Sequence, residues 1–353
     1  MFIHILIWIF GLLLLGVAGG TLYQRLGLRS DRRHYPPPGR LIDLGTHHLH
    51  LLETGQGSPT IVLEAGLMSS MLSWSEIQRA LAESYRVVSY DRAGLGWSDL
   101  GPMPRTAERM VEELHTLLQR AQIPPPYVLV GHSFGGLTMP LFAARYPQET
   151  AGVVLVDPVV PAEWNPPSEQ DRKRAAIGST IASRAALLCR IGVIRFVAFL
   201  ITSGATKFAG RLVRLISREA PAESGSVSSP WFWNLPAEER TMAAVFWVQE
   251  KFCRTIASQL ENLPASAVRV AEFGNFCSQP VVILSAKSTP AKRREQHEAI
   301  AQRLPQGRYV LAERSTHWIM QDQPELVLGA IHDAARSVLK PEAAALRANS
   351  SAL

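Results

Sequence analysis

Gly131-His132-Ser133-Phe134-Gly135 sets one serine between two glycines, where the apolar run Tyr127–Val130 gives way to a helix-like pattern. This is G-x-S-x-G in a strand–turn–helix context, the setting in which a sharp turn lifts a serine hydroxyl above a strand end. Gly131 and Gly135 are expected to remove Cβ atoms that would clash in that turn. A serine hydroxyl is a weak nucleophile until a base takes its proton. Of the ten histidines, His317 is the expected base, because it lies just past the last strand-like run and just before the closing helix-like pattern. The set is completed by a carboxylate that orients the imidazole and stabilises its charged form. Asp157, at the end of the strand-like run Val153–Val156, is the expected acid. The run Val281–Ala286 is a poorer source, since the first acidic residue after it is Glu295, inside a basic helix-like stretch. Asp322 is too near His317 to fold back as its acid, and before Pro324 it reads as a helix-start residue.

A tetrahedral intermediate needs two backbone N–H donors. Phe134, after the nucleophile, is one candidate, and Leu67, after the turn-permitting Gly66, is the other. Ser69 and Trp74 are candidates to line the substrate space. His132 is a weaker one, because neighbouring side chains diverge in a tight turn and it reads first as packing. His47, His48 and His50 fall on an early strand, and no carboxylate or cysteine completes a metal set around them. No metal and no cofactor is expected. Cys189, Cys253 and Cys277 have neither disulfide-framework nor zinc spacing and read as small buried apolar residues.

These residues need a scaffold that brings distant strand ends together. The 353-residue chain is long enough for one large α/β domain with an insertion. Strand-like and helix-like segments alternate, and the strands are near-continuously apolar, which argues for a mostly parallel sheet covered on both faces. Residues 41–158 and 278–340 form this expected core. The stretch 159–277 is far longer than a parallel crossover requires, so it reads as a helical cap, followed at the end of the chain by a tail, 341–353. Within the cap, Thr180–Gly204 is apolar with interspersed arginines. It reads either as a buried helix with snorkelling arginines or as a membrane-surface face.

Residues 1–22 are nearly pure hydrocarbon from Phe2 to Ala18, at the short end of a bilayer span. Arg25, Arg29, Arg32 and Arg33 follow, which by the positive-inside rule puts the remainder of the chain in the cytoplasm. An uncleaved anchor is the first expectation. The alternative is an exported protein with a signal cut near Val17-Ala18-Gly19. Residues 23–40, with three successive prolines, read as a stiff linker. The net charge of +6 comes without a basic–aromatic stripe, so nucleic acid is not an expected partner.

Four stretches, "LEAGLMSSMLSW", "SYDRAGLGWSD", "VGHSFGG" and "STHWI", together make the chain resemble the α/β-hydrolase fold superfamily over about residues 40–340. Some relatives of this fold carry their acid at the sixth strand, which the resemblance transfers to Asp157. It also implies that Asp91 and Arg92 are structural. Relatives often have His-Gly where this chain has Ala65-Gly66. A serine at the elbow excludes the aspartate nucleophile of dehalogenases and epoxide hydrolases. The resemblance thus permits an esterase, lipase, thioesterase or amidase, and the apolar cap and N-terminal anchor turn the expectation towards a serine hydrolase acting on an ester-type, hydrophobic or lipid-like acyl substrate. A C–C hydrolase, a cofactor-free haloperoxidase and a non-catalytic ligand-binding protein are the other readings, because fold does not choose the reaction.

Overall fold

The computed structural model describes residues 2–202, 235–272 and 279–336. An eight-stranded sheet comprises β1 (Arg40–Asp43), β2 (His48–Thr54), β3 (Thr60–Glu64), β4 (Val87–Tyr90), β5 (Tyr127–His132), β6 (Thr150–Val156), β7 (Val281–Ala286) and β8 (Gly307–Ala312). Their spatial order is β1-β2-β4-β3-β5-β6-β7-β8. The β1–β2 and β2–β4 pairs are antiparallel and all others parallel. The parallel strands β3 to β7 are buried along their whole length, which is why their sequences are near-continuous apolar runs rather than alternating ones.

Side chains alternate across the sheet, so each strand feeds two cores. Val62, Leu129, Val153 and Ile283 pack with α3 (Ala107–Arg120) and α4 (Gly135–Arg145). Ile61, Leu63, Val130 and Leu284 pack on the other face with α2 (Ser75–Leu81) and with Ile331 and Ala335 of the closing helix, residues 324–336. The Thr106 hydroxyl accepts from Arg109 N and caps α3, whose buried stripe is Val111, Leu114, Leu117 and Leu118. The elbow helix α4 runs through Pro140 without a break.

The insertion between β6 and β7 carries helices α5 (Glu169–Arg190), α6 (Val193–Thr202), α7 (Ala237–Trp247), α8 (Glu250–Glu261) and α9 (Leu263–Glu272). Ala186 and Cys189 of α5 pack on Phe252, Cys253 and Ile256 of α8. Cys189 and Cys253 are buried and unbridged, with sulfurs 3.8 Å apart. Cys277, the rest of the expected cap and the tail 341–353 lie outside the described residues.

The N-terminal helix α1 runs from Phe2 to His34, twelve residues beyond the boundary expected at residue 22. Residues 23–34 are therefore helix, not linker, and the connector shrinks to residues 35–39. No proline interrupts the chain before Pro36, and the residue before a proline disfavours helix, so termination waits until Tyr35. The added turns are held by tertiary contacts. Gln24 is buried and donates to Val248 O at 2.9 Å, while Arg195 bonds Gln24 Oε1 at 2.8 Å and Asp31 Oδ2 at 2.5 Å. The first half of α1 is exposed and apolar, with a mean hydropathy of 2.4, long and apolar enough to cross a bilayer.

Candidate active site

Ser133 stands in the two-residue gap between β5 and α4. Its φ of 52° is left-handed, a strained backbone for a residue with a side chain. The strain is held from both sides: Ser133 N donates to Val156 O at 3.0 Å and Val159 N donates to Ser133 O at 2.8 Å. A Cβ on Gly131 would stand 2.7 Å from Gly135 O, and one on Gly136 would stand 2.4 Å from Pro158 Cβ. At Gly135 the nearest atom is 3.6 Å away, which is ordinary contact. The crowded glycines of the turn are thus Gly131 and Gly136, and the expectation for Gly135 is corrected. The start of α4 thus presses on Gly131 at the strand end and on the chain after β6.

Asp157 follows β6 with φ 44°, also left-handed, and is 1% exposed. His317 Nδ1 lies 2.6 Å from its Oδ2. Thr289 Oγ1 donates at 2.7 Å to both carboxylate oxygens and Ala286 N donates to Oδ1 at 3.2 Å. Burial opposes ionisation of Asp157, but the His317 ring, the Thr289 hydroxyl and the Ala286 amide outweigh it and hold the carboxyl below the usual carboxylate range. Just behind, the buried His297 donates from Nε2 to Pro158 O at 2.8 Å and accepts from the Ser285 hydroxyl at 2.5 Å. Its burial pushes the ring's pKa down, fixing a neutral tautomer.

The loop bearing His317 is pinned at its base. Asp322 ends the short helix Ile319–Asp322 and folds back to accept from Thr316 N at 2.8 Å and Thr316 Oγ1 at 2.5 Å. It caps the histidine loop and does not start the closing helix, which corrects the sequence expectation. Gln323 Oε1 accepts from Arg314 N and Ser315 Oγ on the same loop.

His132 is fully buried, and its Nε2 donates to His317 O at 2.9 Å with the two rings 4.5 Å apart. The residue before the serine therefore touches the residue expected to be its base. Burial, then the neighbouring His317, pushes the His132 pKa well down, so the ring is neutral. His132 is a packing and positioning residue. Trp74 is fully buried in the core with Ile77 and Leu81, and is likewise packing. Among the described residues no hydrogen bond joins the Ser133 hydroxyl to the His317 ring. Such contacts often close only with substrate bound.

Gly66 and Leu67 form the turn after β3, on the Ser133 side of the sheet: a Cβ on Gly66 would meet His132 Nδ1 at 2.7 Å and Ser133 Cβ at 3.2 Å. Arg92 anchors this turn, bonding Ala65 O and, at 2.6 Å, Gly66 O. Its charge is balanced by the buried Glu64 at 2.9 Å, which also accepts from Tyr90 OH and Thr138 Oγ1, each at 2.6 Å. Asp91 accepts from Met71 N and from Trp97 N and faces His50 Nδ1 at 3.0 Å, tying the next loop to the same rim. Arg92 and Asp91 are thus placed as scaffolding. Ser69 and Ser70 are buried beside them. Among the described residues no group of three His, Cys, Asp or Glu side chains could hold a metal ion.

Sequence reasoning missed Thr289, His297 and Glu64. Glu64 left a signal, a lone carboxylate inside an apolar strand, which demands a buried partner. Thr289 left none.

A family model described as alpha/beta hydrolase fold matches residues 59–324. Among curated relatives, the chain is 40% identical over 125 residues to a probable transporter, efuK, from Hormonema carpetanum, a match covering 33% of this chain and 18% of that one. It is 37% identical over 103 residues to a putative carbamate hydrolase, RutD, from Klebsiella pneumoniae, covering 29% and 38%. The matched stretch thus spans less than half the length of either relative. Among solved structures, the enol-lactonase from Burkholderia xenovorans LB400 superposes with a TM-score of 0.57 at 20% identity, covering 84% of this chain and 99% of that one, a likeness of fold.

Proposed function

The chain belongs to the α/β hydrolase fold family, and from that premise we propose that it is a serine hydrolase cleaving esters with a hydrophobic acyl group. In this reading Ser133 Oγ attacks the carbonyl carbon while His317 Nε2 takes its proton. His317 Nδ1–H stays bonded to Asp157, which offsets the charge of the imidazolium. The backbone N–H groups of Leu67 and Phe134 receive the developing oxyanion. The imidazolium then protonates the departing alkoxide, leaving an acyl-enzyme on Ser133. Water, deprotonated by His317, resolves it, releases the acid and restores the serine.

The observation that carries the reading is the 2.6 Å contact between His317 Nδ1 and Asp157 Oδ2, at the same sheet rim as the left-handed turn of Ser133. A fluorophosphonate probe is expected to label the native protein and to leave Ser133→Ala unlabelled. Equal labelling of both would end the proposal.

The preference for an apolar acyl group rests on the exposed apolar first half of α1 and on an apolar cap. We read α1 as an uncleaved anchor with Arg25, Arg29, Arg32 and Arg33 on the cytoplasmic side. A reporter fused after Arg40 should then be active in the cytoplasm, and its export would reverse the topology.

A further inference from the structure

The cap leaves apolar side chains facing outward on α5 and α6, the two helices whose turn meets α1. On α5, Ile177, Ile181 and Leu188 are exposed at the i, i+4 and i+11 positions of one helical stripe, with the exposed Arg184 between them at i+7. On α6, Val193, Phe196 and Val197 are exposed beside it. Single apolar side chains on a surface need no explanation, but a contiguous set marks something that covers it.

The position of α1 says what. Gly20 presses on the α5–α6 turn so closely that a Cβ there would stand 2.2 Å from Ile191 O. Gly16, Gly19 and Gly20 share an apolar cleft of about 540 Å³ with Val193 and Phe196. The α6 helix therefore lies alongside residues 16–20, the C-terminal end of the hydrocarbon run. Exposed arginines begin within about two turns of that level, at 1.5 Å rise per residue: Arg25 and Arg29 on α1, Arg184 and Arg190 on α5. An apolar face with arginines at its margin, and with Arg184 inside it on a stem long enough to carry its charge out to the headgroups, is the pattern of a helix lying in the interface between acyl chains and anionic headgroups.

We propose that the outward face of α5 and α6 is a lipid-contacting surface, resting in the headgroup–acyl boundary of the bilayer that α1 enters. It rests on the membrane reading of α1 and adds a second contact to it. Because Gln24 and Arg195 fasten α1 to the cap, the two contacts together fix the height and tilt of the catalytic rim over the bilayer.

The test uses the full-length protein in phosphatidylethanolamine–phosphatidylglycerol vesicles containing a lipid brominated near the top of its acyl chains. An environment-sensitive fluorophore is attached, in a Cys277→Ser background, to Ile181→Cys or Phe196→Cys. Leu13→Cys reports the α1 span, and Arg308→Cys, on the far edge strand, reports solvent. Emission at 181 and 196 is expected to fall by about half or more, with 308 unchanged, as for residues seated in the interface. Quenching at 13 but not at 181 or 196 would overturn the proposal and leave the anchor standing, and a blue-shifted, unquenched label there would show that protein covers the face. Quenching at 181 and 196 together with an unquenched, water-like label at 13 would show lipid contact without the span, and would overturn the placement of this face on the bilayer that α1 enters.

Discussion

Replacing Thr289 with Val tests whether the Asp157–His317 pair is the working acid and base. Thr289 is buried, and its hydroxyl donates at 2.7 Å to both oxygens of Asp157. Valine keeps the shape and removes the donor. Oδ1 is then left with only the 3.2 Å bond from Ala286 N. A hydrogen bond to a charged group contributes about 1.5–3 kcal/mol net. At 1.36 kcal/mol per tenfold in rate, losing it entirely from the transition state would cost roughly 10- to 150-fold in kcat/KM. The lower part of that range is expected, since His317 still binds the other oxygen and part of the loss also falls on the free enzyme. Because Asp157 is held ionised partly by this hydroxyl, its carboxyl should titrate higher in the variant. The assay is hydrolysis of a short nitrophenyl ester from pH 5 to 8, with the rate of fluorophosphonate labelling as a second readout. Thr289→Ser, which restores the donor, should recover activity to within about threefold, a difference of under 1 kcal/mol. If Thr289→Val keeps full activity and labelling rate while remaining folded, the hydroxyl does not support the charge that catalysis uses, and Asp157 is not the acid.

The buried Glu64–Arg92 pair gives a stability prediction. Arg92→Met or Glu64→Gln should each cost about 3–5 kcal/mol in urea unfolding, because each leaves the partner charge buried and unmatched. The double variant should cost less than the sum. Acid sensitivity follows from the buried histidines. His132 and His297 both have folded pKa values pushed below the ordinary 6.5 by burial. Their contribution to stability is complete above pH 6.5 and drains away as pH falls from there towards the depressed values, by up to about 1.4 kcal/mol per pH unit for each ring. A series of urea midpoints from pH 7.5 to 5 reads this, and a flat profile would contradict the burial of both rings. Finally, Gly20→Leu should force α1 off the α5–α6 turn, given the 2.2 Å approach to Ile191 O. Trypsin cleavage at Arg25 and Arg29 would then rise by about tenfold for each 1.4 kcal/mol of docking lost.

The parts of the site that could be read in the sequence are those whose placement depends on one strand and its own next turn. Ser133 is of this kind, since glycine spacing and a strand-to-helix switch suffice. Asp157 is another, marked by a lone acid at the end of "VVLVD". The helix boundary at His34 is of the opposite kind. The absence of proline before Pro36 permits helix over Tyr23–Arg33 but does not require it, and what fixes it is Arg195, more than 160 residues away, reaching Gln24 and Asp31. Gly136 and Thr289 failed to register for the same reason. The crowding that requires Gly136 comes from Pro158 on a neighbouring strand end, and the role of Thr289 comes from β7 lying between β6 and β8. Parallel neighbours put all their C-terminal ends on one edge. Once β6, β7 and β8 are side by side, the residues after each of them, 157, 287–289 and 313–317, must converge there. The loop after β7 carries no carboxylate before Glu295. In the proposed reading, in which β6 supplies the acid, the loop after β7 is left to hold that acid, and a hydroxyl donor suits this task better than a second negative charge.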